Sequence, residues 1–363
     1  MTRIEAAVIR EVGGPVRLEE VDLPEPGPGQ VRVKLAAAGV CHSDLSLADG
    51  TLRQQFPVVL GHEGAGRIVS VGAGVTGLAV GDPVVLNWAP PCGECWFCAA
   101  GEPYLCEHAD DGRASPYATS TVDGAALYPG LGTAAFATET VVGAHACIPL
   151  PSDMDLQEAA LLGCAVLTGV GAVENAAQVQ PGHSVVVIGL GGVGLAAVQG
   201  ARIAGATTII AVDANPGKSD LAFSLGATHV LAPSSALGKE VRALTGGRGA
   251  DHAIECVGRA ETIRTAWSVT RRGGRATILG LGPASEQVTF NALEVTYFAR
   301  TLAGCMYGSS DPAADVPHLL SHYRAGDLDL RSLVTDHIAL SDLDTAFAKM
   351  RTGAGARSLI VFA

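Results

Sequence analysis

Short apolar runs separated by turn residues dominate the first 150 residues of the chain. Val-rich runs such as VRVKL (31–35), GRIVSVG (66–72) and DPVVL (82–86) are punctuated by Gly and Pro. This arrangement is typical of short strands joined by turns, and helix-period patterns are scarce. The pattern predicts a β-rich body in this part of the chain.

The pattern changes at Leu156. A long helical pattern, LQEAALLGCAVLTGVGAVENAA (156–177), comes first and predicts a helix. Apolar strands then alternate with helix-length segments, and these strands are SVVVIG, TTIIAVD, HVLAP, DHAIECVG and RATILGLG. Strands spaced in this way predict a parallel sheet with helical crossovers, the doubly wound fold of nucleotide-binding domains. After residue 305 the chain returns to mixed helices and a last strand, RSLIVFA.

Composition and charge narrow the function classes. A chain of 363 residues exceeds the size at which one hydrophobic core usually stops growing, so two domains are expected. A formal net charge of −12 argues against a nucleic-acid partner, since phosphates demand a basic face. Glu5 and Arg10 stand where a signal peptide would be apolar, and no long apolar run has the character of a membrane span. We therefore expect a cytoplasmic protein with no membrane partner.

A glycine-rich turn follows the first strand of the predicted parallel sheet. The stretch VVVIGLGGVG (185–194) has the spacing G-x-G-x-x-G and leads into a helical segment; its glycines are Gly189, Gly191, Gly192 and Gly194. Glycines permit a tight turn and close backbone approach, while a helix N-terminus offers free N–H groups to a pyrophosphate. The strand–turn–helix context predicts a dinucleotide site.

The next strand ends at Asp213, where an acidic residue would meet the adenosine ribose. Its carboxylate can accept from a 2′-hydroxyl and would repel a 2′-phosphate, so NAD is favoured over NADP. Lys218 is either a ribose contact or a solvated lysine at a helix end.

Four cysteines lie within PPCGECWFCAAGEPYLCE (90–107): Cys92, Cys95, Cys98 and Cys106. In a reducing compartment such clusters are more often metal ligands than disulfides. Four thiolates close a zinc tetrahedron, whereas a catalytic zinc keeps one position open. This cluster therefore predicts a structural metal.

Further metal-ligating side chains lie in three separate stretches. Cys41, His42, Ser43 and Asp44 fall in AAAGVCHSDLS, His62 and Glu63 in LGHEGAG, and Cys164 in LLGC. Two thiolates and one imidazole would neutralise Zn²⁺ and leave a fourth position open. Spacing alone does not bring these distant residues together, and a buried cysteine is often only a small apolar side chain.

Taken in order, the motifs GVCHSD, GHEGAG, CGECWFC with its fourth cysteine, LLGC, and GLGGVG followed by AVD are far more specific than any one of them. The set closely resembles the zinc-dependent alcohol dehydrogenases of the medium-chain dehydrogenase/reductase superfamily, over nearly the whole chain. The resemblance implies an α/β protein with a GroES-like β-rich catalytic domain and a Rossmann, doubly wound coenzyme-binding domain. It places the catalytic domain with its structural zinc lobe at 1–165, the NAD-binding domain at 166–305, and a C-terminal return to the catalytic domain at 306–363.

The resemblance also implies two zinc ions per chain and roles for individual residues. Cys41, His62 and Cys164 match the catalytic zinc ligands, and the four clustered cysteines match the structural zinc ligands. Asp44 matches a carboxylate that orients the histidine ligand. Glu63 matches a residue behind the zinc that assists ligand exchange.

Other matches concern the substrate and the coenzyme. Ser43 matches the hydroxyl that takes the alcohol proton. Ser46 stands where many relatives carry a proton-relaying histidine, so the relay must end differently, with His42 or water as candidates. Trp88 matches an aromatic wall of the alcohol pocket, with ordinary core packing as the alternative. Arg357 matches an arginine near the coenzyme phosphates, with a surface charge as the alternative.

The implied reaction is reversible, NAD-dependent oxidation of a primary alcohol to an aldehyde. Ser43 is smaller than the threonine of some relatives, which favours bulky or aromatic alcohols. A thiol-adduct formaldehyde dehydrogenase of the same superfamily and a non-catalytic zinc- and NAD-binding protein are the alternatives. A polyol dehydrogenase is disfavoured, because that branch tends to have glutamate in place of Cys164. The segment between Cys106 and Cys164 is not shortened as in tetrameric relatives, which predicts a homodimer.

Overall fold

The computed structural model describes residues 1–362. Contacts between residues divide the chain into two compact units. The first unit comprises Met1–Cys164, Asp311–Val316 and the segment that begins at Val334; the second comprises Ala165–Ser310 and Pro317–Leu333. The domain boundaries implied by the resemblance stay a prediction.

The first unit is rich in strands, as the Val-rich runs predict. Its strands are β1 (Thr2–Ile9), β2 (Val16–Leu23), β3 (Gln30–Val40), β4 (Val58–Val59), β5 (Glu63–Val71), β6 (Pro83–Leu86), β7 (Ala118–Ser120), β8 (Ala126–Pro129), β9 (Glu139–Gly143), β10 (Cys147–Pro149), β17 (Val334–Ile338) and β18 (Arg357–Val361). Its helices are short: α1 (His42–Ala48), α2 (Trp96–Ala99), α3 (Leu156–Ala159) and α11 (Leu343–Arg351).

Two β-structures build this unit. Strands β1, β2, β7, β8 and β4 close a barrel, and the order β10-β6-β5-β3-β18-β17 forms a sheet in which β9 also pairs with β3. Fully buried side chains such as Phe136, Leu127 and Ile68 fill a shared apolar core. In the sheet, β18 pairs with β3, so a strand from the C-terminal part of the chain adds to a sheet whose other strands come mainly from the first 150 residues.

The second unit has the predicted parallel sheet. Its strands are β11 (Ser184–Ile188), β12 (Thr208–Val212), β13 (His229–Leu231), β14 (Ala250–Glu255), β15 (Thr270–Ile278) and β16 (Thr301–Gly304). They lie in the order β13-β12-β11-β14-β15-β16, and every pair is parallel.

Helices connect these strands, and α4 (Ala165–Gly171) precedes β11; the connecting helices are α5 (Gly192–Ile203), α6 (Ser219–Ser224), α7 (Leu237–Leu244), α8 (Ala260–Val269) and α9 (Ala292–Phe298). One further helix, α10 (Pro312–Ala325), begins in the first unit and ends in the second. All five residues of β11 are buried, which is typical of a central parallel strand covered on both faces. The doubly wound fold is confirmed.

The helical pattern at 156–177 does not form one helix, so that prediction was wrong. The segment divides into α3, a 3₁₀ turn (Ala160–Gly163), α4 and a π-helical turn (Ala172–Ala177). Cys164 interrupts it with φ −150° and ψ −73°. Gly163 packs so closely on the strand β6 that an added Cβ would lie 2.5 Å from the carbonyl oxygen of Leu86. This close packing fixes the break, and the break determines where the thiol of Cys164 lies.

No single helix among residues 1–362 is long and apolar enough to cross a membrane; one bent pair, Leu156–Gly163 with Ala165–Ala177, passes such a test on length and composition alone. The cytoplasmic location stays a prediction.

Candidate metal and coenzyme sites

Four buried side chains from distant parts of the sequence meet in the first unit. The ligand atoms of Cys41, His62, Glu63 and Cys164 all lie within 4.8 Å of one another. The register of β3 and β5 explains part of this, because Gly39 pairs with Glu63 and so places the residues after β3 beside the start of β5. Cys164 joins them from the helix break. The thiols and the imidazole that the resemblance implies as zinc ligands are therefore brought together.

The donor set fits zinc. Nε2 of His62 is buried and has no hydrogen-bond partner, and the residue is 1% exposed. Leaving a buried polar atom unpaired costs about 1–3 kcal/mol, and an imidazole nitrogen beside two thiols can be paired by a metal ion. Two thiol sulfurs and this nitrogen are three ligands that Zn²⁺ prefers, and they leave a fourth position open.

Asp44 holds the imidazole in place. Its Oδ1 lies 3.0 Å from Nδ1 of His62 and accepts from the backbone N–H of Gly61 at 3.0 Å, while Oδ2 accepts from the N–H of Cys41 at 3.1 Å. With Nδ1 donating to Asp44, Nε2 is the nitrogen that is free to bind a metal. The position of Asp44 matches the role that the resemblance implies.

The two thiols shift each other's pKa in opposite directions. The Cys164 thiol donates to Cys41 and, against the effect of burial, holds the pKa of Cys41 well below its ordinary value, while the same contact raises the pKa of Cys164. The charge of Arg357 also lowers the pKa of Cys41. The lowered pKa of Cys41 favours its thiolate, the form that binds metal.

Arg357 lies behind this cluster. It is 5% exposed, its Nη1 donates to the carbonyl oxygen of Val40 at 2.9 Å, and its Nη2 lies 3.1 Å from Oε1 of Glu63. The alternative of a surface charge is therefore wrong, because the guanidinium is buried in an ion pair; contact with coenzyme phosphate stays a prediction. Burial raises the pKa of Glu63 to about 7, although Arg357 opposes this.

Sequence reasoning missed the part played by Gly39. A Cβ at this position would overlap Oε2 of Glu63, so only glycine leaves room for the buried carboxylate. A glycine inside a strand, two residues before a cysteine, was the available signal, since strand glycines often mark close approach of another group.

The four-cysteine cluster also assembles as predicted. The sulfur atoms of Cys92, Cys95, Cys98 and Cys106 lie within 4.8 Å of one another. Backbone N–H groups point at the sulfurs, with Cys95 N donating to Cys92 Sγ and Cys92 N donating to Cys106 Sγ, both at 3.3 Å. Backbone hydrogen bonds lower the pKa of Cys95 to about 6. Four thiols without an imidazole or an open side fit a structural zinc.

The glycine turn of the second unit has the geometry of a dinucleotide loop. Gly189 has φ +90°, a value that disfavours other residues, and a Cβ on Gly194 would overlap the carbonyl oxygen of Gly189. A Cβ on Gly191, the N-cap of α5, would meet no protein atom within 4 Å. Gly192 is the first residue of α5. The loop thus closes tightly on itself and leaves open space at the helix N-terminus for a pyrophosphate.

Asp213 directly follows β12 and faces this loop. Its Oδ2 accepts from the backbone N–H of Leu190 at 2.7 Å and lies 3.2 Å from Nζ of Lys218. Lys218 is 9% exposed, so the alternative of a solvated lysine is wrong; the ion pair with Asp213 draws it inwards. A ribose contact by Lys218 stays a prediction.

The remaining site residues belong to the first unit, near the cluster of Cys41, His62 and Cys164, here named the candidate catalytic cluster. Oγ of Ser43 lies 3.9 Å from Sγ of Cys41, His42 is exposed, and Ser46 is buried. Trp88 is half-buried, and its ring is 6.2 Å from the His62 ring in an edge-to-face arrangement.

Both parts of the chain match family models. The model for zinc-binding dehydrogenases matches residues 192–323, and the model for alcohol dehydrogenase GroES-like domains matches residues 27–152. The chain belongs to the zinc-dependent alcohol dehydrogenases of the medium-chain dehydrogenase/reductase superfamily. Its fold class, a GroES-like domain with a Rossmann domain, is likewise confirmed.

Individual relatives of this alcohol dehydrogenase family differ in substrate. An S-(hydroxymethyl)glutathione dehydrogenase from Synechocystis is 39% identical, with 98% of each chain covered. The solved structure of a benzyl alcohol dehydrogenase from Acinetobacter calcoaceticus has 30% identity and a TM-score of 0.92, with 100% of each chain covered. A solved structure from Sinorhizobium meliloti, bound to NADP, has 26% identity and a TM-score of 0.83, again with 100% of each chain covered. Membership supports zinc and a nicotinamide coenzyme as cofactors and a small molecule as substrate.

Proposed function

We propose that this protein is an NAD-dependent zinc alcohol dehydrogenase that reversibly oxidises primary alcohols, bulky or aromatic ones included, to aldehydes. The observation that carries the proposal is the buried set of Cys41, His62 and Cys164, in which Nε2 of His62 has no protein partner. A set of three ligands leaves room for a substrate oxygen, whereas the four-cysteine cluster does not. The same observation disfavours a non-catalytic zinc- and NAD-binding protein.

Zinc in this site would act as a Lewis acid that acidifies the alcohol, and the nicotinamide would accept the hydride. The residues of the chain supply position and charge. Asp44 fixes the His62 ring through Nδ1, and Arg357 balances the buried negative charge of Glu63 and the thiols.

Ser43 is our candidate for the group that takes the alcohol proton, because its hydroxyl lies beside Cys41. Beyond it the buried Ser46 cannot act as a base near neutral pH, while His42 is exposed to water. Ser43→Ala should lower alcohol oxidation by roughly 10²–10⁴-fold, the usual value of a positioned proton-transfer group. If His42→Gln leaves the single-turnover rate of hydride transfer and its pH dependence unchanged, His42 has no part in the relay.

The aromatic preference rests on the surroundings of His62. Trp88 presents its ring edge-to-face to the imidazole, so an aromatic surface lies close to the candidate metal ligands. Aromatic rings favour such offset or edge contacts with one another by about 0.5–1.5 kcal/mol beyond area burial. This observation favours benzylic alcohols over short aliphatic ones.

A second candidate substrate is a thiol adduct of formaldehyde, as the name of the Synechocystis relative suggests for that protein. Arg113 favours it, because its guanidinium lies over the Trp88 ring at 5.7 Å from the centroid. A cation beside Trp88 suits an anionic substrate, although Asp110 at 2.9 Å partly neutralises it.

One panel separates these activities. NADH formation should be measured with benzylic, aliphatic, terpenoid and polyol alcohols and with S-(hydroxymethyl)glutathione. We expect the highest kcat/KM with a benzylic alcohol. Arg113→Gln should then change little, whereas a raised KM for S-(hydroxymethyl)glutathione alone would identify the thiol adduct as the substrate. No turnover with any of these compounds would refute the proposed activity.

We propose a homodimer that forms along the edge strand β16. This strand ends the six-stranded sheet, and Leu302 on it is 42% exposed; Leu293 and Tyr297 of the neighbouring α9 are also exposed. Exposed apolar side chains beside an unpaired strand edge favour pairing with a second copy. Leu302→Lys should shift the mass measured by light scattering from dimer to monomer, and a monomeric unsubstituted protein would contradict the proposal.

A further inference from the structure

Outside the sites described above, three metal-ligating side chains meet on the second unit. The ligand atoms of Glu174, His318 and His322 all lie within 4.8 Å of one another. Glu174 lies on the π-helical turn and the two histidines lie on α10. Their side chains are 25%, 49% and 22% exposed, so ions in solution can reach them.

The two histidines are arranged for chelation by their place on the helix. Residues four apart on an α-helix project from the same face one turn apart, and the rings of His318 and His322 have centroids 4.7 Å apart. Nε2 of His318 lies 3.2 Å from Oε2 of Glu174. Two ligand atoms that bind the same ion at about 2.1 Å lie about 3.0–3.4 Å apart in ordinary coordination geometry. The distance between His318 and Glu174, which is also that of a hydrogen bond, fits two ligands of one ion, and all three ligand atoms lie within 4.8 Å of one another.

A second carboxylate supports the third ligand. Oδ2 of Asp327 lies 3.6 Å from Nδ1 of His322, and the backbone N–H of Asp327 donates to the carbonyl oxygen of His322 at 2.9 Å. The loop after α10 thus places a carboxylate near Nδ1 of the ring, and Nε2 would be the nitrogen that binds an ion. Metal-bound histidines commonly have a carboxylate on the other ring nitrogen.

The segment that carries Glu174 is itself irregular. A π-helical turn replaces α-helix at Ala172–Ala177, and single π-turns inside helices occur frequently at functional sites. Within this turn Asn175, the neighbour of Glu174, is held by contacts to Gly308 and Ser310, both at 3.4 Å. The carboxylate is therefore presented by an anchored backbone.

We propose that Glu174, His318 and His322 form a binding site for one divalent transition-metal ion of the class that prefers imidazole and carboxylate, such as Zn²⁺, Ni²⁺ or Co²⁺. Two nitrogens and one oxygen match this class, and three protein ligands leave positions for water. The formal net charge of −12 favours approach of a cation. The ion joins α10 to the π-helical turn, and the site is independent of the proposed catalytic function.

Ni²⁺ is the probe, because elemental analysis distinguishes it from the zinc with which the full-length protein is first loaded. The zinc-replete protein is dialysed to equilibrium against a Ni²⁺ series, and elemental analysis measures both metals in each sample. The variants are His322→Gln, which removes one ligand, and Glu174→Gln, which keeps the side-chain size but weakens the oxygen donor. His337→Gln is the matched control, since His337 is an exposed histidine on β17.

We expect one more equivalent of bound Ni²⁺ in the unsubstituted protein and in His337→Gln than in His322→Gln, with zinc content equal in all. Glu174→Gln should weaken Ni²⁺ binding by roughly tenfold or more, because replacing a residue that only contacts a metal ligand already lowers metal affinity by about 10–100-fold. Ni²⁺ should also raise the thermal midpoint of the unsubstituted protein and the control, and should raise it less in His322→Gln. Equal Ni²⁺ uptake by all four proteins, or uptake only in exchange for zinc, would overturn the proposal.

Discussion

Replacement of Asp44 by Asn tests whether the carboxylate next to His62 supports a metal ligand. Asp44 is 0% exposed and accepts from the backbone N–H groups of Cys41 and Gly61 and from Nδ1 of His62. Asn has nearly the same shape but only one acceptor oxygen. If that oxygen keeps the contacts to Gly61 and His62, the NH₂ group of the asparagine faces the N–H of Cys41. Both groups are donors, so the N–H of Cys41 has no acceptor.

The expected cost follows from these contacts. One buried N–H loses its partner, which costs about 1–3 kcal/mol. The remaining two hydrogen bonds lose the charge of the carboxylate, which makes them about half as strong. We expect the free energy of unfolding of Asp44→Asn to fall by about 2–4 kcal/mol. Because His62 is then less firmly oriented, metal affinity should fall by about 10–100-fold.

Zinc retention measures this effect directly. Protein is equilibrated with increasing chelator and its zinc content is determined, with unfolding by denaturant as a second readout. Asp49→Asn is the matched control, because Asp49 follows the same helix α1, is exposed, and accepts from the backbone N–H of Thr51 at 3.0 Å. Asp44→Asn should lose one equivalent of zinc at a chelator concentration that leaves the control intact. Equal retention by both variants would refute the assignment of Asp44 as the residue that orients His62.

Three further predictions concern the two metal sites of the first unit, the coenzyme preference, and His252, a largely buried histidine on β14. Cys164→Ser should lose turnover and one equivalent of zinc but keep NAD binding and its fold, whereas Cys95→Ser should chiefly lower stability, since structural zinc contributes folding free energy. Metal analysis and denaturant unfolding of both variants test this prediction. Equal loss of stability in the two variants would contradict it. We expect a strong preference for NAD⁺ over NADP⁺. Asp213→Gly should reduce the ratio of the two kcat/KM values, because it removes a charge-assisted hydrogen bond to the ribose, worth about 1.5–3 kcal/mol, and frees Lys218 for a 2′-phosphate. Equal kcat/KM values for NAD⁺ and NADP⁺ in the unsubstituted protein would disprove this. Burial and the adjacent His183 lower the pKa of His252 to about 4, so the unfolded chain binds a proton that the folded chain does not. The free energy of unfolding should therefore fall by about 1–2 kcal/mol as pH drops from about 6.5 to 4, since solvent screening weakens the effect at a partly accessible group. A His252→Asn variant with the same pH dependence of unfolding would show that His252 does not contribute.

Local patterns and ordered motifs predicted much of the fold. Val-rich runs correctly predicted β3, β5 and β6, because a strand buried on one or both faces needs apolar side chains at regular positions. The glycine turn before α5 was likewise correct, since its positive φ and close contacts admit only glycine at Gly189 and Gly194.

Local periodicity does not reveal features that depend on contacts between distant residues. Apolar periodicity predicted one helix at 156–177 and could not reveal that packing of Gly163 on Leu86 breaks it at Cys164. The buried pair of Glu63 and Arg357 depends on β18 lying beside β3, which periodicity does not specify. Glu174 and His318 are 144 residues apart in sequence, so no spacing rule could join them.

The candidate metal sites of the first unit differ in how folding assembles them. The four cysteines lie within one short loop, from Cys92 to Cys106, so a metal can bind them with little of the barrel or sheet in place. The candidate catalytic cluster joins Cys41 to Cys164, and its geometry depends on the register of β3 with β5 and on the break after Gly163. Bringing distant residues together closes a long loop, which costs conformational entropy, and the contacts of the surrounding strands must first offset that cost. The loop that carries the four cysteines should therefore depend on its metal for folding. The candidate catalytic cluster should instead form as a consequence of folding and bind its metal afterwards.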